Sequence, residues 1–171
     1  MNKQFWNDLD RTWYQRLTIH EDDGLKRLLA ILLAHSGDSW FWLLGIALVW
    51  FVGDASWKTW ALRMASAVFI LAVTVLLLKF SFRRARPEGT WGNVYRKSDP
   101  HSFPSGHAAR ATLLVVLTLG LGPLWLAAIL ILWAPLVSAA RVGMGLHYPT
   151  DVLAGSVIGL AVGIIALIAF L

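Results

Sequence analysis

Cysteine is absent from the 171 residues, which excludes disulfides, thiolate metal sites and cysteine nucleophiles together. Charge is sparse, at 15% of the chain, and residues 81–103 are the only long polar loop. The opening MNKQFWNDLDRTWYQRL mixes polar and aromatic side chains and lacks the apolar core of a signal peptide. Hydrophobic residues make up 57% of the chain, and the mean hydropathy is +0.61. A soluble chain this small has no core large enough to hide that much apolar surface, so lipid must solvate much of it. The formal charge of +5 could serve nucleic acid, but the basic residues collect at the ends of apolar segments, where lipid phosphates lie. No nucleic-acid partner is therefore expected. Ten tryptophans, among them Trp57, Trp60 and Trp125, suit the aromatic belt of a bilayer interface.

Phe5, Leu9, Trp13 and Leu17 are spaced four apart and form one stripe on a helix, which predicts an amphipathic helix lying in the interface. Residues 25–34 are apolar but too short to span; they continue along the interface or lead into the first crossing. Asp38-Ser39 offer a helix start for a crossing over 38–53. Further crossings are predicted over about 59–80, ending at Lys79, over 105–121, over 124–142 with a kink at Pro135, and over 149–171. At about 1.5 Å per residue, roughly 21 residues cover the 30 Å of hydrocarbon. The predicted fold is an all-α membrane protein: an amphipathic N-terminal segment, 1–36, then a membrane domain, 37–171, of about five transmembrane helices. Counting crossings brings Lys79, His107, Arg141 and the N-terminus to one face of the bundle.

Three clusters stand at that face. Lys79 and Arg86-Pro87 close one apolar run, Pro104-Ser105-Gly106-His107 opens the next, and Arg141, His147 and Asp151 link the last two. Two histidines, a carboxylate, a lysine and two arginines there read as a phosphate-handling site. A charge costs about 2.5–3.5 kcal/mol at the bilayer centre and less near its edge, so snorkelling alone would explain Lys79, Arg110 or Arg141 singly. Arg83, Arg84, Arg96 and Lys97 are expected at headgroups or water. Ser105 and Gly106 begin a helix whose free N–H groups can bind an anion, with glycine allowing close approach; capping alone would also account for Ser105. His147 and Asp151 are four apart. On one helical face the carboxylate can accept the Nδ1 proton and leave Nε2 as a free lone pair; separately, an interfacial histidine and a helix cap would explain them.

These motifs resemble the signature of the type 2 phosphatidic acid phosphatase superfamily, which includes membrane lipid phosphatases and vanadium haloperoxidases. Lys79 is followed after six residues by Arg86-Pro87, then come residues 104–107, then Ala140-Arg141, His147 and Asp151. The resemblance covers roughly residues 60–171. It departs at Ala140, where the family carries serine, a loss of about 0.5–1.5 kcal/mol if a hydrogen bond is missing. The resemblance implies that His147 is the nucleophile, Asp151 its orienting carboxylate and His107 the acid and base. Lys79, Arg86, Ser105, Gly106 and Arg141 would hold the phosphate, with no metal and no cofactor.

The expected activity is hydrolysis of a lipid phosphate monoester or diphosphate by a multi-pass protein of the cell membrane. Substrates across the family include phosphatidate, phosphatidylglycerophosphate, polyprenyl diphosphates and lipid A phosphates, and these motifs are common to all of them. A metal hydrolase built on His107, His147 and Asp151 is disfavoured by three nearby cations and the lack of a second carboxylate. A haloperoxidase is disfavoured by the membrane embedding. A phospholipid transporter or non-catalytic headgroup binder is the alternative from another class, and needs no nucleophile with an orienting carboxylate. The basic N-terminal residues favour a cytoplasmic site face, whereas many family members act outside the cell; the facing direction and the oligomeric state stay open at this point.

Overall fold

The computed structural model describes residues 3–20, 22–88 and 99–171, with backbone alone for 3–7. The described residues form seven helices and no named strand: α1 Lys3–Leu17, α2 Gly24–Ser36, α3 Ser39–Val52, α4 Ala55–Phe82, α5 Gly106–Leu121, α6 Leu124–Gly143 and α7 Pro149–Phe170. The α4, α6 and α7 helices are each long and apolar enough to cross a membrane, and α2 with α3 passes as a pair bent by 55°. The α5 helix is a shorter apolar rod of 16 residues. The expected count of about five crossings is thus met approximately, with one difference. The run predicted to start at Asp38 is preceded by α2, which packs along α6, so Gly37-Asp38 is a break between two helices.

On α4, α6 and α7 a stripe of buried residues ends in a site residue. Along α4 the inward positions are Met64, Ala67, Val68, Leu71, Val75 and then Lys79. Along α6 they are Ala127, Leu130, Ala134, Val137 and Arg141. Along α7 they are Gly163, Gly159, Gly155 and Asp151. The lysine, arginine and aspartate therefore point inward by helical periodicity. Outward positions such as Phe69, Leu77, Leu153 and Ile165 are apolar and exposed, as lipid contact requires.

The central rod is α5, buried nearly all round and packed most extensively against α7. Small residues permit this: a Cβ at Gly159 would lie 2.0 Å from the Ala109 carbonyl oxygen, and one at Gly155 would lie 2.4 Å from that of Ser105. Close backbone approach replaces hydrophobic driving force between helices in lipid. It also sets the start of α5 against the start of α7, where Ser105 N donates to the Asp151 carbonyl at 2.9 Å.

The α1 helix lies at this same end. Its Trp13 and Leu17 are exposed, as an interfacial stripe should be, while Asp10 and Tyr14 face the protein. Asp10 is 2% exposed and accepts from Thr150 N at 3.0 Å; Tyr14 donates to the Glu88 carbonyl at 2.8 Å. The Phe5 side chain, Arg96 and Lys97 lie outside the described residues. Trp57 and Trp125 are exposed near the opposite end, where an aromatic belt belongs.

Candidate active site

A cavity of about 270 Å³ opens at the end of the bundle, lined by Lys79, Asp99, Gly106, His107, Arg110 and His147 among others, and it continues down the apolar face of α4 to Val68. The five-residue link between α6 and α7, residues 144–148, delivers His147. Gly145 sits at φ +66, in the left-handed region where glycine is free of Cβ strain. The His147 side chain is 1% exposed.

The protonation pattern of His147 follows from its partners. Nδ1 lies 2.8 Å from the Ser102 carbonyl oxygen; a carbonyl only accepts, so Nδ1 carries the hydrogen. Arg86 Nη1 lies 3.2 Å from Nε2; a guanidinium only donates, so Nε2 presents its lone pair. Burial first, then the charges of Arg141, Arg86 and Lys79, hold the imidazole well below its ordinary value. His147 is therefore a neutral base whose unprotonated Nε2 accepts from Arg86, set among cations.

Asp151 is where the expectation needs correcting. Its Oδ2 is 3.8 Å from His147 Nδ1, beyond hydrogen-bond reach, because the Ser102 carbonyl occupies that position. The carboxylate, fully buried, instead accepts from Tyr148 N at 2.8 Å and from Arg84 Nη1 at 2.7 Å. It thus caps α7 and lies in charge contact with the ring. Arg84 departs from expectation too. Predicted at headgroups or water, it is drawn inward by Asp151 and by Asp10, 2.6 Å from Nη2, and stacks over Tyr148 with its guanidinium 4.3 Å from the ring centroid.

Lys79 and Arg86 converge on one carboxylate that the sequence did not single out. Asp99 accepts from Lys79 Nζ and, at 2.8 Å, from Arg86 Nη2. A carboxylate held by two cations in the cavity that His147 lines occupies the kind of position a phosphate needs. Arg141, 1% exposed, is the positive charge that bears most strongly on His147. Ala140, in place of the family serine, packs with Ala30 and Ala34 of α2, where a small apolar side chain suits the helix contact.

Ser105 is the N-cap of α5 and is fully buried. Gly106 lines the cavity, and a Cβ there would meet nothing nearer than Val75 at 3.6 Å, so protein packing does not call for glycine at this position. His107 Nε2 lies 2.8 Å from Asp38 Oδ1, a partner absent from the sequence-based set. Arg110 does not snorkel: it lines the cavity and donates to the Gly37 carbonyl and, at 2.6 Å, to Ser39 Oγ. Sequence spacing carried no signal for Asp38 or Asp99, which lie 69 and 20 residues from their partners.

Residues 60–171 match the model of the PAP2 superfamily. An undecaprenyl-diphosphatase of Sulfolobus acidocaldarius is 34% identical over 95 residues, 53% of this chain and 46% of that protein. The crystal structure of LpxE from Aquifex aeolicus is similar with a TM-score of 0.75 at 26% identity, over 93% of this chain and 94% of that one. A transmembrane PAP2-type phosphatidylglycerolphosphate phosphatase from Bacillus subtilis shares the fold, with a TM-score of 0.79 at 22% identity over 96% and 86% of the two chains. The matched stretches span between 29% and 59% of the curated relatives' own lengths.

Proposed function

We propose that this chain, which belongs to the PAP2 superfamily, hydrolyses a lipid phosphate monoester or diphosphate through a phosphohistidine at His147. One observation carries the reading: the His147 lone pair, fixed by the Ser102 carbonyl on one side and Arg86 on the other, opens onto a cation-lined cavity. In the first step Nε2 attacks phosphorus, the P–N bond forms as the P–O bond to the lipid breaks, and a proton from His107 goes to the leaving oxygen. In the second, His107 takes a proton from water as its oxygen attacks phosphorus and the P–N bond breaks, returning His147 and releasing phosphate. Lys79, Arg86 and Arg141 bind the equatorial oxygens with Ser105 and the Gly106 amide. The Asp151 charge, 3.8 Å from Nδ1, offsets the positive charge that the phosphorylated ring acquires. Phosphoryl transfer needs chiefly positioning and charge stabilisation, and three cations with amide donors supply both.

The apolar wall from Val75 to Val68 suits the first carbons of a lipid tail, which favours a lipid over a soluble phosphate ester. Polyprenyl diphosphate and phosphatidylglycerophosphate are the substrate classes in the names of the similar proteins, and both fit a phosphate at the rim with a chain below. The test is phosphate release by purified protein from a panel of prenyl diphosphates and diacyl phosphates. Release from at least one, abolished in His147→Ala, with an acid-labile phosphoprotein trapped in the native chain, is expected. Binding without release would support the headgroup-binding alternative instead.

A further inference from the structure

The break between α2 and α3 is held by contacts that serve no phosphate. Trp42 and Trp133 donate their indole N–H groups to the Ser36 carbonyl at 2.9 Å and to Ser36 Oγ at 2.8 Å. Arg110 takes the Gly37 carbonyl and the Ser39 hydroxyl. Backbone groups freed at the helix break are thus satisfied, as apolar surroundings require. Three long side chains fix residues 36, 37 and 39, and the residue between them is Asp38. Glycine at 37 is required by proximity: a Cβ there would lie 2.9 Å from His107 Cδ2 and 2.9 Å from Val137 Cγ1. Asp38 occupies the N-cap position of α3 yet makes no side-chain cap bond. Its Oδ1 goes to His107 Nε2 at 2.8 Å and its Oδ2 to His35 Nδ1 at 3.1 Å.

We propose that Asp38 is a positioning residue for His107: it fixes the ring with Nε2 protonated, so that Nδ1 alone gives and takes the proton of phosphoryl transfer. The inference rests on the reading of His107 as the acid and base. A carboxylate only accepts, so the neutral ring carries its hydrogen on Nε2 and keeps a lone pair on Nδ1 to receive a proton from water. When Nδ1 is also protonated, the imidazolium is paired with Asp38 and ready to protonate a leaving oxygen. The charged or titratable groups that bear most on this ring, besides Asp38, are Arg141 on α6, Arg110 on α5 and His147, with His35 reaching Asp38 from α2; Lys79, Asp99 and His101 line the same cavity. Among the groups that bear most on the ring, Asp38 supplies the negative charge. The family match begins at residue 60, so Asp38 lies outside the stretch that carries the signature.

Asp38→Asn and Asp38→Glu are tested with two leaving groups. For a lipid alkyl phosphate, which needs an acid, single-turnover phosphorylation in Asp38→Asn should slow about 10²-fold, within the usual range for general acid–base catalysis. KM should change by less than about threefold, and Asp38→Glu should recover part of the rate. For p-nitrophenyl phosphate, whose leaving group needs little help, the nitrophenol burst should persist near the native rate. Steady-state turnover should still fall, because water attack needs the base. Equal losses in burst and steady state, or no loss with the lipid, would overturn the proposal. A second measurement needs no turnover and no Asp38 variant: nitrogen NMR of the native chain, with His107→Gln for assignment, should show the neutral ring protonated at Nε2. Protonation at Nδ1 would overturn the assignment of Asp38. A native chain that releases no phosphate from any substrate would sink the phosphatase reading, while the NMR result would still decide the pairing.

Discussion

The two imidazoles of the site are held by opposite kinds of partner. His147, in the link between α6 and α7, gives its Nδ1 proton to a neutral carbonyl and is surrounded by cations. His107, in the first turn of α5, gives its Nε2 proton to a carboxylate. A carbonyl fixes orientation and raises the ring's basicity, but burial and the surrounding cations outweigh it and keep the ring unprotonated, which suits a nucleophile that must arrive with a lone pair. A carboxylate stabilises the charged ring, which suits a group that carries a proton in one half of a reaction and collects one in the other. The same side chain is thus given two tasks by its surroundings.

The comparison breaks most severely at the nucleophile. His147→Gln should lower turnover by about 10⁴-fold or more, since loss of a nucleophile removes the covalent route altogether. Steady-state phosphate release measures it, and retention of a tenth of native activity would reverse the roles given to the two rings. Arg86→Ala or Arg141→Ala should come next, with turnover lower by about 10²–10³, the usual effect of removing a strong donor to a developing oxyanion. Arg86→Ala carries a second signature. The donor on Nε2 is lost while the Ser102 carbonyl still takes the Nδ1 proton, so in nitrogen NMR of the phosphate-free chain the Nε2 resonance should shift with the tautomer unchanged.

Much of this site could be read from the chain because helical periodicity places it. Lys79, Arg141 and Asp151 end stripes of small and apolar residues, and parity of the crossings brings their ends together. The fold class followed from apolar content for the same reason. The partners that refine the chemistry were silent, and the cause is physical. Asp38 looked like a helix cap since its sequence neighbours, a polar pair before an apolar run, are those of a cap; only the tertiary approach of Gly37 to His107 redirects it. Arg84 looked like a headgroup residue because Asp10, its partner, is 74 positions away. The Asp151 to His147 spacing was right for a shared face, yet the Ser102 carbonyl, which no side-chain pattern can reveal, holds the Nδ1 position.

A smaller effect sharpens the electrostatic half of the comparison. The folded value of His147 is held below its unfolded value of about 6.5. The folded chain therefore binds fewer protons than the unfolded one once pH drops below that value, and stability falls as pH falls through this window. Thermal midpoints in detergent should decrease between pH 7 and pH 5.5, and the decrease should be shallower in His147→Gln, which has no proton to take up. An identical slope in both chains would show that the ring is not held neutral.

The smallest effect concerns Asp99, which stands between the two rings' territories. Its carboxylate accepts from Lys79 and Arg86, two of the three cations assigned to the phosphate, and its side chain is 40% exposed. On the proposed reading a substrate phosphate displaces it, so Asp99 keeps two buried charges paired when no ligand is bound and competes with the ligand. Asp99→Asn removes the competing charge while keeping the size. Inorganic phosphate and lipid substrate should both bind about threefold more tightly, with kcat unchanged, because the carboxylate is already displaced once substrate is bound. The same variant should be less stable without phosphate, since Lys79 and Arg86 lose their shared partner. Competitive inhibition by phosphate and a melting curve taken with and without it measure both halves. Weaker phosphate binding in Asp99→Asn would mean that the carboxylate aligns the cations and does not compete for them.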